Sequence, residues 1–166
     1  MIVIRPIEEK DAGLMLRLKN VLDRETRFMM LEPGERTAEV EDERRRIREL
    51  LARDNSLTWV AEARHELVGY LEASGGEFQR NWHSATLVIG ILGAWSGQGI
   101  GQRLFSALLD WAKERGLHRL ELTVMVSNER AVHLYQKMGF TIEGVRHDSL
   151  RVDGQFVDEY AMSLMV

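Results

Sequence analysis

The sequence predicts an α/β (α+β) fold, one domain over residues 1–166 with a mixed central sheet of about seven strands flanked by about four helices. Three observations carry this. At 166 residues, one compact domain is the simplest partition. Stretches of alternating or continuous apolar residues interleave with stretches whose apolar residues fall three and four apart, so strands and helices follow one another along the chain. And the apolar run Ala85 to Leu92 leads through Trp95-Ser96-Gly97-Gln98-Gly99-Ile100-Gly101-Gln102-Arg103 into a helical pattern, a strand–turn–helix unit.

The elements follow in order. Residues 2–7 form a first strand, and Asp11 caps a helix over 11–24 with the stripe Leu14, Leu18, Val21 and Leu22. Arg27 to Arg36 contains Pro33-Gly34 and is a loop. Thr37 opens a charged helix to about Arg53, whose apolar contacts are Val40, Ile47, Leu50 and Leu51. Its run Glu41-Asp42-Glu43-Arg44-Arg45-Arg46 reads as paired, solvated surface, because acidic residues stand three or four places before basic ones. Ser56 to Ala63 and Leu67 to Ser74 are strands either side of a hairpin break at Arg64-His65-Glu66, and Gly75-Gly76 ends or bulges the second. Ala85 to Leu92 is the central strand; beyond the glycines, Leu104, Leu108, Trp111 and Arg115 fall at helical spacing and Gly116 caps the C-terminus. Arg119 to Val126 is a strand and Asn128 to Met138 a helix stopped by Gly139. Phe140 to Val145 and Phe156 to Val166 are the last two strands, around a turn at Asp153-Gly154.

Composition narrows the function classes. Without cysteine there is no disulfide, thiolate metal site or cysteine nucleophile. The five histidines, His65, His83, His118, His133 and His147, are scattered without metal-ligand spacing, and no metal is expected. A net charge of −4 argues against a nucleic-acid partner. No apolar run approaches the ~20 residues of a spanning helix, and the N-terminus lacks a basic region before a long apolar stretch, so a cytoplasmic location is expected.

The glycine turn is the chemical clue. Glycines let backbone N–H groups approach a phosphate, and a helix N-terminus carries partial positive charge, so the unit suits a phosphorylated ligand. Glycines at 97, 99 and 101 have the wrong last spacing for the dinucleotide fingerprint, no Gly-Lys-Ser/Thr follows, and Ala94 breaks a nucleophile elbow around Ser96. Downstream, Asn128 and Tyr135 are seven residues apart, on one helix face. The segment from Asn128 through Ala131, Tyr135, Gly139 and Phe140 resembles the Asn-x-x-Ala-x-x-x-Tyr-x-x-x-Gly-Phe signature of the GNAT family of N-acetyltransferases. Gln98-Gly99-Ile100-Gly101 resembles the same family's acetyl-CoA pyrophosphate turn, in the expected order. The likeness is detailed over residues 85–166 and extends over 1–84 only as an order of elements.

The resemblance implies a GNAT-like domain, acetyl-CoA as donor and an amine as acceptor. Ile89, Gly90 and Ile91 would bind the pantetheine arm through the strand backbone, and Gly97, Gln98, Gly99, Ile100, Gly101 and Gln102 would cradle the pyrophosphate. Ser96 stands where relatives carry Gln or Arg, which removes a side-chain contact and leaves the backbone cradle. Arg103 is either a phosphate ligand or helix surface. Asn128 would hold the cofactor arm, the helix start, or both; Tyr135 would serve as general acid at the thioester sulfur, or else is a core tyrosine. Relatives often carry a glutamate base on the central strand, where this chain has Ala85 and Thr86, or on the next, where Thr123 sits. Glu72, Glu121 and His83 are the candidates here, alongside a water chain. Arg27-Phe28-Met29-Met30-Leu31-Glu32 would form an acceptor wall, and the acceptor could be a small amine, an amino-acid-like compound, a polyamine or a protein N-terminus. Homodimers occur in the resembling family. The alternative from another class is a non-catalytic acyl-CoA-binding regulatory module.

Overall fold

In the computed structural model, which describes residues 1–166, the elements are β1 (Val3–Pro6), α1 (Ala12–Glu25), α2 (Val40–Leu51), β2 (Leu57–Ala63), β3 (Glu66–Gly75), β4 (Ser84–Ile91), α3 (Ile100–Arg115), β5 (Arg119–Met125), α4 (Glu129–Lys137), β6 (Thr141–Val152) and β7 (Gln155–Met165). The sheet order is β1-β2-β3-β4-β5-β7-β6. Every neighbouring pair is antiparallel except β4–β5. A parallel pair needs a long crossover, which α3 supplies.

Strand alternation sends side chains to two faces. One face packs α3 and α4 over a core that includes Trp59, Leu71, Leu104, Phe105, Leu108, Leu120, Phe140 and Met162. The other packs α1 and α2 over a smaller core with Met15, Leu18, Leu22, Ile47, Val60 and Tyr70. The β2–β3 turn is tight because Arg64 and His65 both take left-handed conformations (φ 53° and 64°), matching the strand twist.

Four expectations are corrected. Asp11 does not cap α1. Its buried carboxylate instead receives Arg5 through two hydrogen bonds of 2.8 and 2.9 Å and the Glu8 N–H at 2.8 Å, a stronger set of charge-assisted contacts than a cap. Helix α2 starts at Val40 rather than Thr37, because Glu39 and Asp42 form a reciprocal capping box. Its charged run is only partly solvated surface: Arg44–Glu41 and Arg45–Asp42 are exposed pairs, but Glu43 is buried against Lys19 at 2.7 Å and Arg46 reaches Glu72. Helical spacing turns residues 43, 46, 47 and 50 inward together. Finally, β6 continues to Val152; as an edge strand paired only with β7 and largely exposed, it carries no apolar alternation to reveal its length.

Candidate active site

Strands β4 and β5 pair over three positions only, Ser84↔Arg119, Ala85↔Leu120 and Thr86↔Glu121, and then part. On its other edge β4 stays paired with β3 through Ile91. Gly76 N–H donates to Ser84 O and Leu92 N–H to Val68 O, so the even-numbered residues of β4 bond to β3. Antiparallel alternation then points the N–H and C=O groups of Ile89 and Ile91 into the gap between β4 and β5, where no strand meets them. A cavity of about 1240 Å³ occupies this gap.

Gly90 lies between these two residues and lines the cavity with them. The β3–β4 register is unbroken there, so it marks no bulge. A Cβ at Gly90 would stand 2.7 Å from Leu22 Cδ1 and 3.1 Å from Tyr70, so glycine allows α1 to close over the sheet.

The glycine turn forms one end of the cavity. Gly97 and Gly99 have φ of +77° and +79°, and Gly99 is the N-cap of α3. These conformations strain any residue with a Cβ. At Gly101 a Cβ would meet Leu134 Cδ2 at 2.7 Å, so the third glycine brings α3 against α4. Gly97, Gly99, Ile100, Gly101 and Gln102 line the cavity, whereas Gln98 is exposed and outside it. Arg103 also lies outside, donating to Ile2 O at 2.9 Å, which favours its surface reading.

Helix α4 forms a second wall. Asn128 is its N-cap, its side chain accepting from Ala131 N–H at 3.4 Å, and it lines the cavity as well. Tyr135 lines the cavity with a ring 94% hidden from solvent, packed edge-on against Phe105 at 5.8 Å. Burial alone pushes its phenol pKa up, so the hydroxyl keeps its proton at neutral pH. Arg130, His133 and Lys137 fall at one-face spacing on α4 and all line the cavity, with Arg130 Nη2 3.1 Å from the position of a Gly97 Cβ. This basic stripe was not among the expected site residues; its signal in the sequence is the three-and-four spacing beside the Asn128 cap.

The α1/α2 side of the cavity holds the acidic groups. Glu121 sits at the apex where β4 and β5 part, beside Thr86 and two residues before Thr123 on the same face. Arg119 bonds Glu121 at 2.8 Å and Glu143 at 2.5 and 2.8 Å. Glu72 and His83 do not join Glu121. Glu72 is buried under α2 with both oxygens on Arg46, at 2.6 and 2.8 Å, and His83 is exposed just before β4, at the end away from the glycine turn; neither lines the cavity. Phe28, Met29 and Met30 do line it, Met29 packing near Gly90 and Met30 standing in solvent.

Arg119, followed by Ser163, holds the Glu143 carboxyl at about 2 instead of the ordinary 4.5. This contact therefore favours the folded sheet above pH 4.5 and is lost as pH falls toward 2. A carboxyl-carbon NMR titration of Glu143 is expected to have its midpoint near 2; a midpoint near 4.5 would mean the Arg119 clamp does not form in solution.

Comparison with known proteins gives the same family from three directions. An L-amino acid N-acetyltransferase of Escherichia coli is 30% identical over 102 residues, covering 59% of this chain and 61% of that protein; the chain thus matches about three-fifths of its length. The E. coli spermidine N(1)-acetyltransferase is 27% identical over 163 residues, covering 97% of this chain and 84% of the relative. The crystal structure of a GNAT-family acetyltransferase from Streptococcus pneumoniae superposes with a TM-score of 0.96 at 30% identity, covering 100% of this chain and 99% of that one. Residues 19–140 match the family described as Acetyltransferase (GNAT), which spans the splayed strands, the glycine turn and Tyr135, and the chain belongs to that family.

Proposed function

We propose that this protein is an acetyl-CoA-dependent N-acetyltransferase that moves an acetyl group to a primary amine by direct transfer in a ternary complex, in the cytoplasm. The observation that carries the reading is the gap between β4 and β5. It presents unpaired backbone groups at Ile89 and Ile91, ends on the left-handed Gly97 and Gly99, and has Tyr135 in its wall. These features fit the donor part by part. Ile89 and Ile91 offer a pantetheine amide the strand partner that β5 does not supply. The turn residues Gly97 to Gln102 and the N-terminus of α3 suit a pyrophosphate, and Arg130 adds a cation beside the turn. Gln98, though exposed, contributes its backbone N–H to the same turn.

The acceptor compartment lies on the α1/α2 side, between the Phe28–Met30 segment and the β6–β7 strands. An alkylamine must lose a proton to attack, since its ordinary pKa is ~10.4. Glu121, at the apex, is the base the geometry supports among the three candidates, directly or through water. Nitrogen attacks the thioester carbonyl, the carbon–sulfur bond breaks, Tyr135 donates its proton toward the departing sulfur, and the second proton shed by the acylated nitrogen restores the phenol through water. Burial keeps the phenol protonated and able to donate, and it also disfavours a free thiolate beside it. With no cysteine in the chain, an acetyl-cysteine intermediate is excluded.

The test is amine-dependent release of CoA from acetyl-CoA across a panel of small amines, amino acids, polyamines and N-terminal peptides. Turnover with N-acetylated product supports the reading, and its absence across the panel with intact acetyl-CoA binding overturns it.

A further inference from the structure

We propose that Glu159 is the residue on which the ammonium group of the acceptor first docks on entering the cavity, before its proton passes to Glu121 through water; this rests on the acetyltransferase reading of the same cavity. Glu159 stands on β7, opposite Met125 of β5 and Arg146 of β6. Its side chain therefore shares the sheet face of Glu121 and Thr123. Continuing the β4–β5 register from Thr86↔Glu121 puts Met125 level with Gly90, so Glu159, one strand further out, stands level with the open part of the gap, away from the apex.

The other acidic groups in the cavity wall are already answered by the protein. Glu25 accepts the Gly93 N–H at 2.6 Å, and Glu121 and Glu143 are bonded by Arg119. Glu159 is different. It is 4% exposed and lines the cavity, yet its charged neighbour, Arg146 Nη1, stays 3.8 Å away on a side chain that is itself 58% exposed. The Glu159 carboxylate thus borders the cavity with its nearest cation beyond ordinary hydrogen-bond distance. An ammonium group entering the cavity brings three donors and the matching charge. Apolar neighbours on the same wall, Met125 and Leu150, exclude water and strengthen that contact.

The test compares alkylamines, which are cations at neutral pH, with an arylamine, which is neutral there. Glu159→Gln keeps the shape and removes the charge. It is expected to raise the KM for alkylamines by about tenfold or more, with kcat changed much less, and to leave the arylamine KM and the calorimetric Kd for acetyl-CoA nearly unchanged. Arg146→Gln removes the competing cation and is expected to lower the alkylamine KM. Melting of the free protein gives a readout without turnover: Glu159→Gln should melt at or above the wild-type temperature. A lower melting temperature, with both amine classes affected alike, would make Glu159 a structural partner of Arg146 and overturn the proposal. If the wild type binds acetyl-CoA but acetylates nothing, the acetyltransferase reading fails separately. Docking is then judged by whether an alkylamine raises the melting temperature of the CoA-bound wild type. Loss of that rise in Glu159→Gln supports it; an equal rise in both, or a rise in neither, overturns it.

Discussion

Replacing Tyr135 by Phe is expected to lower kcat by roughly ten- to a thousandfold, about a decade below the ~10²–10⁴-fold typical of general acid–base catalysis, while the Kd for acetyl-CoA barely moves. The change removes one hydroxyl and keeps the ring, so the edge-on packing with Phe105 at 5.8 Å and the neighbouring Phe140 survives. Stability should therefore stay close to that of the wild type. The effect is bounded because a thiolate is a tolerable leaving group, with a thiol pKa of ~8.5. It is still large because burial keeps the phenol protonated, so a proton is in place to donate. Steady-state kinetics at saturating acetyl-CoA and amine decide this: a kcat equal to wild type would remove Tyr135 from the mechanism and leave it a core tyrosine.

The largest expected effect on stability comes from Glu43→Ala. Lys19 and Glu43 meet at 2.7 Å between α1 and α2, with side chains 5% and 3% exposed. Burial, and then Arg46, push the Lys19 pKa below its ordinary value; Glu43 is the main group opposing them. Removing it strands the ammonium, and breaking a buried pair in this way costs about 3–5 kcal/mol. For a chain of this size that is a fall in Tm of roughly 6–20 °C. Because the folded state then holds the Lys19 proton less tightly than the unfolded chain, the deficit should shrink as pH rises toward 10.5. Replacing both partners, Lys19→Met with Glu43→Leu, should recover most of the loss. A Glu43→Ala protein that melts with the wild type would show that the pair does not hold α2 over the sheet.

The legible parts of the fold were those where one physical requirement admits few residues. Gly97 and Gly99 adopt φ near +80°, a conformation that favours glycine, so the turn is written in the sequence. Helix α4 announced itself by periodicity, by Asn128 at its start and by Gly139 (φ +103°) just past its end. Charges were harder to read, because a glutamate has the same letter whether it faces water or a lysine. Glu41 and Glu43 looked alike in the sequence, yet one pairs on the surface with Arg44 and the other lies buried against Lys19. Arg46 lay in the same run and turned out to occupy Glu72, taking a candidate base out of the site. The end of β6 was illegible because an edge strand facing solvent needs no apolar alternation.

Glu159 did leave a signal. It falls on the inward-facing alternation of β7 with Ala161 and Ser163, where a charged residue is out of pattern. Nothing local said which wall it faced, because that depends on β5 and β7 lying side by side, a pairing between residues more than thirty apart in the chain. The parting of β4 from β5 was hidden for the same reason. It is a property of register, and only the backbone shows where the third pair is the last.

The measurement that bears most directly on the whole account is the initial rate of CoA release from acetyl-CoA, with and without primary amines, with the amine product identified by mass spectrometry. Saturable, amine-dependent release in step with N-acetylated product is the expected result. Saturable acetyl-CoA binding with no amine-dependent release would contradict it, and would leave the gap between β4 and β5 as the pocket of a regulatory module that binds acyl-CoA without chemistry.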